Sequence, residues 1–215
     1  MSWSSGKDST FALHAARHEL GIDVSALLCT VNADADRVAM HAVRRDLLLA
    51  QGERLGLPVH VVEIPSPCPD RVYEAAMRGA VDAALADGAE QMIFGDLYLR
   101  DVRAYREQHL AGTGLQPVFP LWERPTGALA RDMIDSGLRA VLTCVDPAQL
   151  APEFAGRTFD DDLLADLPAD VDPCGENGEF HTFVYDGPGF RSAIDVQVGE
   201  TVERDGFVFC DVGAA

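Results

Sequence analysis

Met1-Ser2-Trp3-Ser4-Ser5-Gly6-Lys7-Asp8-Ser9 is the stretch that decides the fold. Small and hydroxyl residues crowd together, and one cation, one carboxylate and another hydroxyl follow where an apolar-periodic run begins. The pattern reads as a strand, a tight turn and a helix start. The first turn of a helix carries amide donors without partners at the positive end of its dipole, so a phosphate group fits there with little reorganisation. Lys7 is the single lysine among 17 lysines and arginines. A compact, mobile ammonium suits phosphate better than a guanidinium in so tight a turn.

Two common phosphate motifs fail here. A Walker A loop needs a Gly separated by four residues from its Gly-Lys and a hydroxyl directly after, where this chain has Met1 and Asp8. The nearest candidate for a dinucleotide fingerprint, Gly112-Thr113-Gly114, runs into Pro117. The competing bland reading of Ser4 to Ser9 is an ordinary Ser/Gly turn that caps a helix.

Outward from the loop, strand and helix alternate with short links. Helix is expected over 9–20, strand over 24–31, helix over 37–55, strand over 58–64, helix over 71–87 with Asp70 as its cap, and a short strand over 91–94 that ends on Gly95-Asp96. The inner face of the third helix is expected at Tyr73, Met77, Ala80 and Ala84. Such alternation predicts an α/β fold, a parallel sheet with right-handed crossovers and helices on both faces. Ligands of such sheets bind at the carboxyl ends of the strands, where the phosphate loop, Thr30, Asn32, Gly95 and Asp96 all emerge.

Past residue 100 the character changes. Arg100, Arg103 and Arg106 form a stripe on a short helix, either a solvated face paired with Asp101 and Glu107 or a seat for an anion. Pro117, Pro120 and Pro125 mark a junction near Glu123, dividing the chain into 1–123 and 124–215. Asp160-Asp161-Asp162 reads as a helix start or a solvated acidic turn rather than a metal site, and 192–198 with 201–211 as antiparallel strands about Gly199 and Gly206.

A net charge of −18 excludes broad electrostatic binding to nucleic acid or anionic lipid. No apolar run is long enough to span a bilayer, and no cationic apolar leader opens the chain, so a soluble cytoplasmic protein is expected. Five widely spaced cysteines without a Cys-x-x-Cys pattern fit neither a disulfide framework nor a zinc site.

The second informative stretch is Asp172-Pro173-Cys174-Gly175-Glu176-Asn177-Gly178-Glu179-Phe180-His181-Thr182-Phe183. Two carboxylates and a histidine are compressed around two glycines, an ordering cost that suggests a bound group. If this stretch faces the phosphate loop, Glu176 and Glu179 could bind magnesium, hold an ammonium nucleophile or take its proton, with His181 as an alternative base. The bland alternative is a decorated hairpin.

Ser4-Ser5-Gly6-Lys7-Asp8-Ser9 resembles the Ser-Gly-Gly-x-Asp-Ser loop of N-type ATP pyrophosphatases, with Ser5 in place of that loop's first Gly. Together with Gly-Glu-x-Gly-Glu-Phe-His-Thr near the carboxyl end, and with Arg37 to Arg45, Gly95-Asp96 and Tyr105-Arg106, the chain resembles the diphthine-ammonia ligase family. The resemblance implies an adenine nucleotide alpha hydrolase-like fold of HUP type with a smaller C-terminal α+β substrate domain. It also implies ATP-dependent amidation of a carboxylate, small or protein-borne, with ammonia through an acyl-adenylate. By position, Ser4, Ser5, Gly6, Lys7, Asp8 and Ser9 would hold ATP phosphates and Mg2+, the metal on Asp8, with Thr30, Asn32 and Met40 near the nucleoside. Gly95, Asp96, Glu176, Glu179 and His181 would form the substrate side, with Lys7, Asp8, Glu176, Glu179 and His181 taking part in the chemistry. A homo-oligomer is compatible with this reading. A nucleotide-binding regulatory module and a tRNA-thiolating enzyme are the competing functions; the second glycine loop counts against the first, and the acidic charge and missing Cys-x-x-Cys against the second. The family has an apolar strand before the loop where this chain has Met1-Ser2-Trp3, so these residues are expected either to act as a strand stub or to follow an upstream start.

Overall fold

A computed structural model describes all residues, 1–215. The loop leads into α1 (Lys7–His18), and β1 (Leu27–Asn32) follows, paired antiparallel at its end with a two-residue β2 (Arg37–Val38). α2 (Arg45–Leu55) and β3 (Val59–Ile64) come next, β3 running parallel to β1 from Leu27 opposite Val59 to Asn32 opposite Ile64. α3 (Asp70–Ala86), β4 (Gln91–Ile93), α4 (Arg100–Leu110) and β5 (Gln116–Val118) complete this half, with β4 parallel to β5.

Residues 1–3 join the two parallel pairs. Leu28 N–H donates to Met1 O at 2.8 Å, Trp3 N–H to Leu28 O at 2.8 Å and Ser2 N–H to Ile93 O at 2.9 Å. Ser2 forms a parallel bridge with Leu28. Hydrogen bonding therefore runs from β3 through β1 and residues 1–3 to β4 and β5, and three residues act as the strand that carries the loop.

The second half holds α5 (Thr126–Asp135), β6 (Arg139–Val145), α6 (Asp161–Asp166), β7 (Phe180–Asp186), β8 (Val196–Arg204) and β9 (Phe207–Ala214). Its four strands form an antiparallel sheet in the order β7-β6-β9-β8. The whole is a mixed α/β protein. No helix is long and apolar enough to cross a membrane.

Several expectations shift. The helix expected over 37–55 starts only at Arg45, because Arg37–Val38 pairs with β1 and the chain then turns through left-handed Met40 and Ala42. Gly199 is not a turn: β8 continues through it with a register shift, and the reversal falls at left-handed Asp205 and Gly206. Asp70 makes no cap, since Pro69 holds the capping position, whereas Asp160 accepts from Leu163 N–H at 2.8 Å and starts α6 as expected. On α3 only Val81 is fully buried, and Tyr73 and Met77 are half-buried because they look into a cleft rather than onto a packed neighbour.

α1 is buried on two sides. Phe11, Ala12 and Ala15 join Leu129, Met133, Leu142 and Phe180 in one apolar cluster, while Leu13 and Ala16 join Trp3, Leu27, Leu47 and Phe183 in another. Three alanines let both layers approach closely, so the apolar core runs across Glu123 without a break. Main-chain bonds cross as well: Val184 N–H donates to Ser5 O at 3.0 Å.

Ser5 lies beneath the loop in the left-handed region (φ 68°), fully buried, its Oγ without a hydrogen-bond partner. A left-handed non-glycine costs about 1–2 kcal/mol and an orphaned hydroxyl about 1–3, against about 0.5–1 kcal/mol of extra backbone entropy for glycine. Ser5→Gly is therefore expected to raise stability by about 1 kcal/mol, seen as a higher urea midpoint with unchanged slope. A lower midpoint would mean that the hydroxyl carries packing worth more than its strain.

Candidate functional site

The loop is tied by its own hydroxyls. Ser4 Oγ lies 3.2 Å from Ser9 Oγ, and Ser9 Oγ donates to Gly6 O at 2.9 Å. A Cβ at Gly6 would stand 2.7 Å from His41 Cε1 and 3.3 Å from Thr182 O, and one at Gly95 3.0 Å from the Asp8 and Ser9 backbone, so both glycines mark close approaches. In the first turn of α1, Lys7 N–H donates to Thr182 Oγ1 at 3.1 Å, while the amides of Asp8 and Ser9 make no hydrogen bond within the protein. Two free donors at a helix start are suited to an anion.

Lys7 points inward. Its Nζ donates to both Asp8 carboxylate oxygens at 2.9 Å and to Cys174 O, and it lies 5.4 Å from the Phe180 ring centroid and 5.7 Å from that of Phe159. Burial opposes its charge, yet Asp8, Cys174 and Glu176 together hold its pKa above the ordinary lysine value. The ammonium thus joins the serine-rich loop to the far glycine loop and is almost wholly buried in the wall of the site.

β7 places the second stretch. Its Thr182 and Val184 bond to the phosphate loop, so Glu176 and His181 arrive beside Asp8. Glu176 Oε1 accepts from Leu97 N–H at 2.8 Å and Tyr98 N–H at 3.4 Å. Burial, with Asp8 adding to it, pushes this carboxyl up to about 7 despite those two bonds and Lys7. Asp96 is likewise raised, first by burial and then by Asp8, against the pull of Arg106. His181 stacks on His41 with centroids 4.6 Å apart, and burial, His41 and Lys7 lower it to about 3. His41 Nδ1 lies 3.0 Å from Thr182 O, and its pKa is also lowered, chiefly by burial. Both imidazoles are neutral at physiological pH.

A cleft of about 950 Å³ gathers these groups. Of the residues singled out in the sequence, Ser4, Lys7, Asp8, Ser9, Thr30, Met40, Gly95, Asp96, Glu176 and His181 line it. Four do not. Ser5 and Gly6 form the underside of the loop. Asn32 turns away, its Oδ1 accepting from Asp34 N–H at 3.0 Å and Ala35 N–H at 3.2 Å. Glu179 is buried and bound to its own loop, accepting from Asp172 N–H at 3.0 Å and from Asn177 N–H and Nδ2 at 2.9 Å each. Three donated bonds on one carboxylate make Glu179 the tie that shapes the glycine loop, with Glu176 left to face the cleft.

Two family models match the chain, the diphthamide synthase N-terminal domain over residues 1–117 and the diphthamide synthase C-terminal domain over 125–213. The chain belongs to the diphthamide synthase family. Among curated relatives, it is 36% identical over 121 residues to diphthine-ammonia ligase of Danio rerio, covering 54% of this chain and 48% of that one. It is 36% identical over 103 residues to diphthine-ammonia ligase of Homo sapiens, covering 46% and 39%, and 33% identical over 101 residues to that of Schizosaccharomyces pombe, covering 45% and 17%. The chain thus spans about half or less of the length of these relatives.

The cleft draws on both diphthamide synthase domains: the phosphate loop and Gly95-Asp96 fall in the N-terminal match, Glu176 and His181 in the C-terminal one. The sequence reading leaves out two lining residues, His41 and Thr182, and one support behind them, Gln51. His41 lies in the segment that resembles the diphthamide synthase family, one residue past Met40, but an isolated histidine in a loop carries little signal. Thr182 was read as part of a motif without a partner. Gln51 had a readable sign, a polar side chain at helical spacing among Leu47, Leu48 and Leu55. It is fully buried, accepts from Trp3 Nε1 at 2.9 Å, and donates to Ser5 O at 3.1 Å and Val184 O at 2.6 Å, clamping the loop to β7. The arginine stripe divides: Arg103 pairs with Glu107 at 2.8 Å and lies over Phe119 and Trp122, Arg100 pairs with Glu123 rather than Asp101, and Arg106 turns into the cleft.

Proposed function

We propose that this chain amidates a carboxylate with ammonia at the expense of ATP. The observation that carries the reading is one cleft in which the free Asp8 and Ser9 amides meet a Glu176 carboxyl whose pKa is close to neutrality. Membership of a family whose relatives are named diphthine-ammonia ligase supports it.

In this reading residues 1–123 form an adenine nucleotide alpha hydrolase-like unit of HUP type with helices on both faces of its parallel sheet, and 124–215 form the substrate unit. The continuous bonding from β3 to β5 through residues 1–3 supports the first, and the interval between the two family matches supports the division. The nucleoside lies toward Thr30 and Met40, and the phosphates lie on the loop. A substrate carboxylate oxygen attacks the α-phosphorus and pyrophosphate leaves. Loop amides at a helix start stabilise the charge that grows on the leaving group. Ammonium is held by Asp96 and Glu176. One proton leaves the bound ammonium to water, giving nucleophilic ammonia, and a second passes to Glu176 as nitrogen attacks the acyl carbon and AMP leaves with the bonding electron pair. The neutral His41–His181 pair keeps positive charge from competing with ammonium there.

No group of three or more metal-ligating side chains is present. Mg2+ needs only one or two carboxylates when phosphates supply the rest, and Asp8, 26% exposed at the cleft, fits that donor set. The ion would be held by Asp8 and would neutralise phosphate charge.

The test is product analysis on the whole chain with ATP, ammonium and a set of carboxylic acids, diphthine-bearing protein among them. AMP and pyrophosphate in equal amounts, dependent on acid, are expected. ADP and phosphate would contradict the adenylate, and ATP binding without any turnover would leave a regulatory module.

A further inference from the structure

Arg106 has a geometry that the reading above leaves unused. It projects from α4 into the cleft, its guanidinium 5.2 Å over the Phe94 ring. Its Nε is buried and finds no hydrogen-bond partner within the protein. The nearest carboxylate oxygen, Asp96 Oδ2, is 3.8 Å away, beyond hydrogen-bond reach. Every other salt-bridging arginine of the same helix is closer to its acid, Arg103 to Glu107 at 2.8 Å and Arg100 to Glu123 at 3.2 Å. A planar fork stacked on an aromatic ring and left without acceptors is preorganised for a planar, bidentate anion.

We propose that Arg106 is the seat of the acceptor carboxylate, and that the groove between α3 and α4 receives the apolar body attached to it. This rests on the ligase reading for its place in the reaction. The free Asp8 and Ser9 amides already offer the phosphates a seat on the loop, which leaves the Arg106 guanidinium for the second anion of the reaction, the acceptor carboxylate. Beyond Arg106 the groove is walled by Tyr73, Met77 and Val81 of α3 and Tyr105 and Leu110 of α4, surfaces that gain from covering hydrocarbon. Glu74, Arg78 and Asp82 of α3 also line the cleft, Glu74 lying 3.8 Å from His109. The acceptor class is therefore an acid whose carboxylate is borne on an apolar arm, not a small polar acid such as formate or acetate.

The probe is 4-phenylbutyrate with its primary amide, bound to the whole chain and followed by ligand-observed NMR titration, with a non-hydrolysable ATP analogue titrated separately. Wild type is expected to bind the acid at least tenfold more tightly than the amide. Arg106→Gln should bring that ratio near one, Arg106→Lys should leave it in between, and the analogue's affinity should stay within twofold in both. Thermal midpoints confirm folding, and Arg106→Lys keeps the test open if the glutamine variant unfolds. The proposal is overturned by an unchanged ratio in Arg106→Gln, by no preference for acid in wild type, or by a tenfold loss of analogue affinity with the ratio preserved, which would put Arg106 on the phosphates. If the ratio behaves as expected and the analogue binds no form of the chain, the carboxylate seat stands and the ligase reading falls.

Discussion

Asp8→Asn is expected to lower acid-dependent pyrophosphate release by about 10²–10³-fold, the usual cost of removing one preorganised group from a charge-developing site. It should also destabilise the fold. Lys7 is 3% exposed and Asp8 is its only carboxylate hydrogen-bond partner, so the substitution strands a buried ammonium on Cys174 O and two ring faces. Breaking a buried pair in this way costs about 3–5 kcal/mol, with the low end appropriate because Asp8 keeps access to water. The two effects separate in a cycle. Lys7→Met with Asp8→Asn should recover most of the lost stability, since the unpaired charge is gone, yet recover no turnover. A double variant that regained activity along with stability would reduce Asp8 to a counter-ion.

Glu176→Gln is expected to retain ATP-analogue affinity and to lose amidation by about 10²–10⁴-fold, the range of general-base catalysis. The amide oxygen can still accept from Leu97 and Tyr98, so the loop should hold its place. The pH dependence identifies the group. With a carboxyl pushed up to about 7, the wild-type rate should rise with pH as Glu176 ionises and level off above about 7, and the residual rate of the variant should lack that inflection. Stability must move the opposite way. A raised folded pKa means that the folded state binds the proton more tightly, so Glu176 contributes most below its ordinary value of 4.5 and that contribution is lost as pH rises through 7. Wild type should therefore lose more stability than Glu176→Gln between pH 5 and 8, measured by urea midpoints. A variant with unaltered rate and profile would remove Glu176 from proton transfer.

The strand-turn-helix at the amino end was legible because its evidence is local: crowded small residues, one ammonium and a helix start lie within nine positions. The repeated alternation after it was legible for the same reason, as was the helix start at Asp160. Local pattern failed where pairing decided the outcome. Arg37–Val38 sits in a stretch with helical spacing but is held by β1, and Gly199 is carried through β8 by its partner strand. The roles within Gly-Glu-x-Gly-Glu also needed the structure. Two glutamates three residues apart are equivalent as letters, and only the surrounding donors distinguish Glu179, saturated by its own loop, from Glu176, turned to the cleft.

By itself the sequence determined that a serine-rich turn carrying one lysine opens an alternating run of strands and helices in an acidic chain, because those properties depend on neighbours along the chain. Tertiary structure alone decided that β7 lies against that turn, that Lys7 is buried as a strut, that His41 lines the site while Gln51 clamps the loop behind it, and that Arg106 faces inward while Arg103 does not. Those outcomes depend on contacts between residues tens to more than a hundred positions apart, such as Lys7 with Thr182 and Gln51 with Val184, and no local periodicity encodes such distances.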